Sequence, residues 1–443
     1  MVPVLEVKRN GLCIACGACV IACPAQKLLI NYNHKVGFFE IEQDVTRACS
    51  CKTPLCGNVC PSIESELDFK ASSPNIDTWV GPLRQARLAW STDREIRFNS
   101  SSGGSARTLL HFLLETGEVD RAIVLCPGED PYYPQFTSLS DPEELARASN
   151  SFYLHVPFEK ALCLLKENGA ESRSVVVALP CQIQAIRKLQ ALHILLRGSI
   201  LIVGLFCGGS SRQEALNKFL FYKGFHHKSI REIELRGQGW PGKITIDGKV
   251  MFDRKRATFI SRALYNVCFS GPFFLKRCRL CSDQTAELAD ISFGDAWIPR
   301  ITESDHLGTN VVLIRSDWGQ AIFDAAIRAG VLESALVTLR EVIDSQGNCL
   351  VGRKLGMWNW PSQRVVPSQG FGFFGRTSVE WPSRHVPPLG EVIWRKILWG
   401  LARSRIGGQL VFPLNVLKWV VVRGLRFSRR RIRAWKTLVE EDK

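Results

Sequence analysis

"SVVVALPCQIQAIRKLQALHILLRGSILIVGLFCGG" occupies residues 174–209 and reads as strand, helix and strand in turn. Residues 174–179 form a short run rich in β-branched side chains, with the length and composition of a buried strand. Across 182–196 the apolar residues recur at helical spacing, and 200–206 is a second continuous apolar run. The alternation continues outward. "RAIVL" (121–125) has the character of another buried strand, and "ARTLLHFLLETG" (106–117) that of a helix. From about residue 87 to 344 the pattern therefore predicts a large α/β domain.

The whole chain has 443 residues, enough for two or three domains with a sizeable core. Hydrophobic residues make up 46% and charged residues 22%, which is globular composition rather than disorder. The 16 cysteines are the departure from the ordinary. Secreted disulfide scaffolds are small, and the opening "MVPVLEVKRNGLC" has no apolar run for export. Metal binding or redox chemistry in the cytoplasm is the expectation. The net charge of +15 is uneven, because residues 390–443 hold 13 Lys/Arg against four Asp/Glu. A nucleic-acid-binding domain would spread its basic residues over a working face, so nucleic acid is not an expected partner.

"CIACGACVIACP" (13–24) has the spacing C-x2-C-x2-C-x3-C-P, the run used by bacterial ferredoxins. Ala15, Gly17 and Ala18 are small enough for the backbone to wrap a cluster. Cys13, Cys16, Cys19 and Cys60 would hold one 4Fe-4S cube, and the turn at Pro24 would carry Cys23 to a second. Zinc is the rival, but zinc ribbons pair C-x2-C units across a longer gap. In "CSCKTPLCGNVCP" (49–61) the end matches at Cys56, Cys60 and Pro61, while Ser50 and Thr53 stand where ligands are usual. Cys49, Cys51 and Cys56 with Cys23 would complete a second cluster through an altered loop. A three-iron or cysteine-poor cluster is the open alternative.

Small polar residues and two prolines in "KASSPNIDTWVGP" (70–82) read as a linker. Residues 1–70 then form a ferredoxin-like module, 71–86 the linker, 87–345 the large domain, 346–388 a connector rich in Gly, Pro and aromatic residues, and 389–443 a basic helical tail. In that tail the apolar run 406–422 is interrupted by Gln409, Pro413, Asn415 and Lys418, and six arginines follow in 423–433. The run falls short of the ~20 clean residues of a membrane span. It suits an amphipathic segment on the inner face of a membrane or an acidic partner. The alternative is a pair of helices packed on the protein's own surface.

Two local motifs are uninformative alone. "NSSSGGSARTLLHFLL" (99–114) sets Ser and Gly before a helix, which suits a phosphate or an ordinary cap; "CRLC" (278–281) is a bare C-x2-C. Order changes their meaning. "STDREIRFNSSSGG" (91–104), "ALPCQIQAIRKL" (178–189), "VGLFCGG" (203–209), "CRLCSDQTAELADISFGDAW" (278–297) and "GTNVVLIRSDWGQAIF" (308–323) follow in sequence. Together they resemble the coenzyme F-420 hydrogenase/dehydrogenase beta-subunit family over roughly residues 85–345, and a ferredoxin-like N-terminus also occurs in that family.

The resemblance implies an α+β and α/β multidomain chain: a small ferredoxin-like module, a mixed α/β flavin-binding domain and the tail. It implies hydride exchange between the co-substrate F-420 and FAD, beside a further 4Fe-4S cluster held by Cys181, Cys207, Cys278 and Cys281. Ser101, Ser102, Gly103 and Gly104 would meet the FAD, and Asp295, Thr309 and Asn310 would line its pocket. Two N-terminal clusters and one in the large domain use twelve cysteines, leaving Cys126, Cys163, Cys268 and Cys349 as small buried apolar groups. The expected activity is that of an oxidoreductase relaying electrons to a redox partner protein or ferredoxin; no catalytic side chain is assigned. A ferredoxin-dependent FAD reductase of an organic substrate, of pigment or polysaccharide-pathway type, and an electron-transfer subunit of a larger complex are the alternatives.

Overall fold

The computed structural model describes residues 2–354, apart from 34–36, 47–48, 50–54, 64–74, 149, 168–171, 226–229 and 270–272. Cys51, most of the expected connector, and the basic tail with its expected membrane contact lie outside the described residues. The strands, in chain order, are β1 (Leu28–Asn33), β2 (Phe38–Gln43), β3 (Asn75–Asp77), β4 (Gly81–Leu83) and β5 (Gln85–Ser91). Next come β6 (Arg121–Cys126), β7 (Gln135–Leu139), β8 (Ser174–Ala178), β9 (Ile200–Leu205) and β10 (Ile233–Glu234). The last are β11 (Lys243–Ile246), β12 (Lys249–Asp253), β13 (Ile291–Asp295), β14 (Asn310–Ile314) and β15 (Leu332–Leu336).

Eight of these build one mixed sheet in the order β15-β5-β14-β13-β9-β8-β6-β7. Its centre, β13, β9, β8 and β6, is parallel; β7 on one side and β14, β5 and β15 on the other add antiparallel neighbours. Central strands covered on both faces read as unbroken apolar runs, and β8 and β9 do so, with Val175 opposite Leu201 and Val176 opposite Ile202. Successive residues point to opposite faces. Val175 and Leu201 join a core with Leu109, Leu113 and Phe323, whereas Val176 and Ile202 face a core with Ile183, Ile186 and Leu189. The expected helices are present as Ser105–Glu115 and Pro180–Ala191. The second stops short of residue 196 at a turn in which His193 has φ 55°.

The N-terminal residues have no separate interior. Val4, Val7, Leu28 and Ile41 belong to the same apolar core as Val176, Ile183 and Ile202. At about 1.5–3 kcal/mol for each large aliphatic side chain removed from water, this contact docks the β1–β2 hairpin and its loops firmly on one face of the large sheet. The expected linker is also more ordered than its composition suggests. β3 and β4 pair antiparallel across it, and Val80 between them is fully buried. The buried Arg315 guanidinium donates to the carbonyls of Val80 at 2.7 Å, Pro82 at 2.6 Å and Thr285 at 2.8 Å. The helical stretch Leu339–Lys354 spans the expected domain border at 345, but it is broken just past it at Gly347, where φ is 55° and ψ −144°. Among the described residues no helix is long and apolar enough to cross a membrane.

Candidate redox centres

Cys13 and Cys16 lie in the tight loop between helices Pro3–Arg9 and Ala18–Ile21, and Cys19 is in the first turn of the second helix. Two left-handed residues, Ala15 at φ 46° and Gly17 at φ 80°, bend that loop back on itself. A Cβ at Gly17 would lie 2.6 Å from the Cα of Glu159, so only glycine fits both the conformation and the space. Cys60 arrives from the turn after helix Leu55–Asn58. The four thiols line one cavity with Val4, Val7, Ile14 and Ile41. Burial raises the pKa of all four, pushing Cys60 up to about 11, and the neighbouring sulfurs raise Cys16 and Cys19 further. Of the second N-terminal set, Cys23 and Cys56 pack against this same core, Cys49 is exposed, and Cys51 is outside the described residues.

The second cavity is assembled from distant segments. Cys181 opens the helix that follows β8, and Cys207 lies just past β9. Both positions are at the C-terminal ends of adjacent parallel strands, where open α/β sheets place their ligands. Cys278 sits in the turn Lys276–Arg279, and Cys281 follows it. The four thiols line one cavity together with Ile14, His155 and Arg277. Burial and the adjacent sulfurs push Cys181 well up and Cys207 to about 12, and burial also raises Cys278. Arg353, from the last described helix, ties this cavity shut by donating to the carbonyls of Cys278 at 2.8 Å, Cys281 at 3.1 Å and Gly208. Burial disfavours its charge, but the sulfurs of Cys349, Cys281 and Cys207 outweigh that and hold it protonated.

The two cavities adjoin. Ile14 lines both. Helix Pro180–Ala191 carries Cys181 at its start and Lys188 two turns later, and Lys188 Nζ donates to the carbonyls of Cys60 at 2.7 Å and Ile63 at 2.6 Å. Arg277, beside Cys278, donates to the Pro61 carbonyl at 3.1 Å.

Ser101, Ser102, Gly103 and Gly104 form a cradle before helix Ser105–Glu115, and Thr309 and Asn310 pack directly on it. Ser101 Oγ accepts the Ser151 N–H at 2.7 Å, and Ser102 Oγ donates to the Thr309 carbonyl at 2.9 Å. A Cβ on Gly103 would come within 2.9 Å of the Asn310 backbone nitrogen, which explains the glycine there. Asn310 Oδ1 accepts the first helical N–H, of Ser105, at 3.3 Å. Asp295, at the end of β13, accepts from the buried Arg236 at 2.6 Å. The hydroxyls of Ser100 and Ser105 and the Nε and Nη2 of Arg236 are buried without hydrogen-bond partners among the described residues.

Residues 86–163 and 172–338 match the N-terminal and C-terminal models described as coenzyme F-420 hydrogenase/dehydrogenase, beta subunit. The chain belongs to this family. It is an oxidoreductase by class. It is 26% identical over 357 residues to the coenzyme F-420-dependent sulfite reductase of Methanocaldococcus jannaschii, covering 76% of this chain but only 50% of that protein. It is 28% identical over 265 residues to the coenzyme F-420 hydrogenase subunit beta of Methanothermobacter thermautotrophicus, covering 58% of this chain and 85% of that subunit. A chain of the F-420-reducing NiFe hydrogenase complex of Methanosarcina barkeri aligns with a TM-score of 0.47 and 26% identity, over 59% of this chain and 84% of that one.

In this member of the beta-subunit family several side chains at the cavities carry no signal in the sequence. His155, Lys188, Arg277 and Arg353 are isolated residues without ligand spacing, and Arg236 lies in a stretch with no motif. Each becomes visible only when folding sets it beside a cysteine set or the cradle. A buried arginine next to "GQGWPG" (237–242) is the nearest thing to a warning, because that run of glycines forces a tight approach.

Proposed function

We propose that the chain is an iron–sulfur flavoprotein passing electrons between coenzyme F-420 and a redox partner or substrate, with FAD at the cradle and a 4Fe-4S cluster in each cysteine cavity. The observation that carries this reading is the gathering of eight cysteines, four and four, into two cavities that share Ile14 as a wall. Thiols spread round a cavity suit a cluster of several atoms better than one zinc. Cys23, Cys49, Cys51 and Cys56 are the proposed ligands of a further N-terminal cluster.

A flavin converts a hydride into single electrons and iron–sulfur clusters carry these singly. The chain's own residues supply the setting. Apolar walls of Val4, Val7 and Ile41 keep water from the first cavity. Lys188, Arg277 and Arg353 place positive charge around thiols that must lose their protons to bind iron. At the cradle, the partnerless hydroxyls of Ser100 and Ser105 and the guanidinium of Arg236 fit a polar, phosphate-bearing ligand such as FAD.

The test is to reconstitute the protein anaerobically with iron, sulfide and FAD and mix it with reduced F-420. Loss of flavin absorbance followed by slower cluster reduction is the expected result. Failure to retain FAD would sink the reading. Retained flavin that responds to reduced ferredoxin but not to F-420 would reassign the chain to ferredoxin-dependent reduction of an organic substrate.

A further inference from the structure

β10, β11 and β12 form a small sheet of their own, and the chain next to it spans from the cradle to the second cavity. On the cradle side, Gly239 N–H donates to the Phe98 carbonyl at 2.8 Å, and Asn150 Nδ2 joins the Asn99 carbonyl to Glu234 Oε1, both at 2.7 Å. Arg236, just past β10, reaches Asp295, whose register partner is Asn310 of the cradle. Arg254, just past β12, donates from Nη2 to the Tyr153 hydroxyl at 2.9 Å and to the Tyr265 hydroxyl. Tyr153 is tied to the other side. Its carbonyl accepts the Ser211 N–H at 2.9 Å, and Ser210 lines the second cavity. The two arginines therefore stand between the cradle and the cysteines.

This cluster is built of donors. Arg236 Nη1 also donates to the Tyr153 hydroxyl at 3.4 Å, so one phenol oxygen sits between two guanidinium groups. Asp295 offsets the charge of Arg236. Arg254 has no ion-pair partner among the described residues, and its Nε is buried without a hydrogen bond. The cation is held in place by two rings, with its central carbon 4.4 Å from the Tyr265 centroid and 5.5 Å from that of Tyr153. Tyr265 is itself stacked on Phe252 at 4.8 Å. Both phenols accept from the guanidinium and so keep their own O–H to donate. Donors gathered round an uncompensated cation match a carboxylate or phosphate. Arg254 and Tyr153 are half-buried, which leaves a way in. Trp297, 39% exposed and 4.5 Å from Trp240, adds a face for a planar ring beside Arg236.

Resting on the reading that FAD occupies the cradle with Arg236 turned to it, we propose that Arg254 and the hydroxyls of Tyr153 and Tyr265 bind the acidic group of the planar substrate that exchanges electrons with the flavin. The subsite selects anionic ring compounds over neutral ones. Reduced F-420 and an organic ring carboxylate are the two sources of that chemistry.

The experiment uses the full chain reconstituted with iron, sulfide and FAD. Benzoate, a planar carboxylate, should perturb the flavin absorbance at concentrations about tenfold or more below those of neutral benzamide. Arg254→Gln should retain FAD and lose that preference, and Arg254→Lys, which keeps the charge but not the fork, should hold only part of it. With reduced F-420, Arg254→Gln should raise KM by about tenfold or more, a larger change than in the maximal rate. A wild-type benzoate preference in both variants would overturn the proposal and leave the FAD reading standing. So would a loss confined to the maximal rate. Benzoate binding that depends on Arg254, in a chain whose flavin ignores F-420, would support the subsite and give it to an organic carboxylate. Failure of the wild-type chain to retain FAD would sink the underlying reading instead.

Discussion

Cys13, Cys16 and Cys19 come from one short loop and the helix turn that follows it and need only Cys60 from a nearby turn, whereas Cys181 and Cys207 follow two strands of the large sheet and Cys278 and Cys281 come from a separate turn. The first cavity is shaped by local backbone geometry, above all the left-handed turn at Gly17. The second is shaped by strand register. β8 and β9 run parallel with Ala178 opposite Gly204, and this sets the two following cysteines side by side. A local centre is vulnerable to a change in one loop. A centre built at strand ends is vulnerable to whatever holds distant segments together, here Arg353 across the carbonyls of Gly208, Cys278 and Cys281.

The sharpest way to break this contrast is to remove one ligand from each cavity. Cys16→Ser and Cys181→Ser should each cost about four irons per chain, each from its own cavity alone. Iron analysis with EPR would show whether one loss drags the other site with it, in which event the two are a single unit. Gly17→Ala should follow in size. A left-handed alanine costs about 1–2 kcal/mol before the clash with Glu159 is added, so urea unfolding should show a loss of at least about 2 kcal/mol.

Lys188→Met removes two hydrogen bonds from a buried ammonium to carbonyls of the first cavity's turn. A loss of about 2 kcal/mol is expected, with faster proteolysis near residues 60–63. A wild-type cleavage rate would mean that the shared apolar core alone docks the N-terminal segment. Arg353→Gln should weaken iron retention in the second cavity by about tenfold and leave the first untouched, read by competition with a chelator. Equal weakening of both would show that Arg353 acts through global stability.

The smallest effect concerns pH. In the metal-free protein Cys60 and Cys207 have pKa values raised by burial to about 11 and about 12, above the ordinary thiol range near 8.5. The unfolded chain therefore sheds these protons first. Stability is full below about pH 8.5 and falls as the pH rises toward 11–12. Urea midpoints should decline over that window for the metal-free chain and stay flatter once iron holds the sulfurs as thiolates.

How legible each region was follows from the same contrast. The 13–24 run could be read because ligands three residues apart have almost no conformational choice, and the structure brings Cys13, Cys16 and Cys19 to one wall with Cys60. The buried strands were equally plain, since β6, β8 and β9 have to be apolar on both faces. The segment at 70–82 misled, because its Ser, Pro and Gly content is that of a linker. What orders its second half is the Arg315 guanidinium, brought from more than two hundred residues away to three backbone carbonyls. Ser102, Gly103, Thr309 and Asn310 were suggested only by the order of motifs; the structure shows them packed on one another.

The sequence by itself determined the α/β alternation, the first cysteine loop and, through the succession of five motifs, the family. These are properties of neighbouring residues or of their order, where periodicity and spacing leave few solutions. Tertiary structure alone decided that the two cysteine cavities adjoin across Ile14, that Lys188 and Arg277 tie them, and that His155 lines one of them. A lone lysine, arginine or histidine has no pattern to read. Its role is set by the groups that strand register and core packing bring to its side.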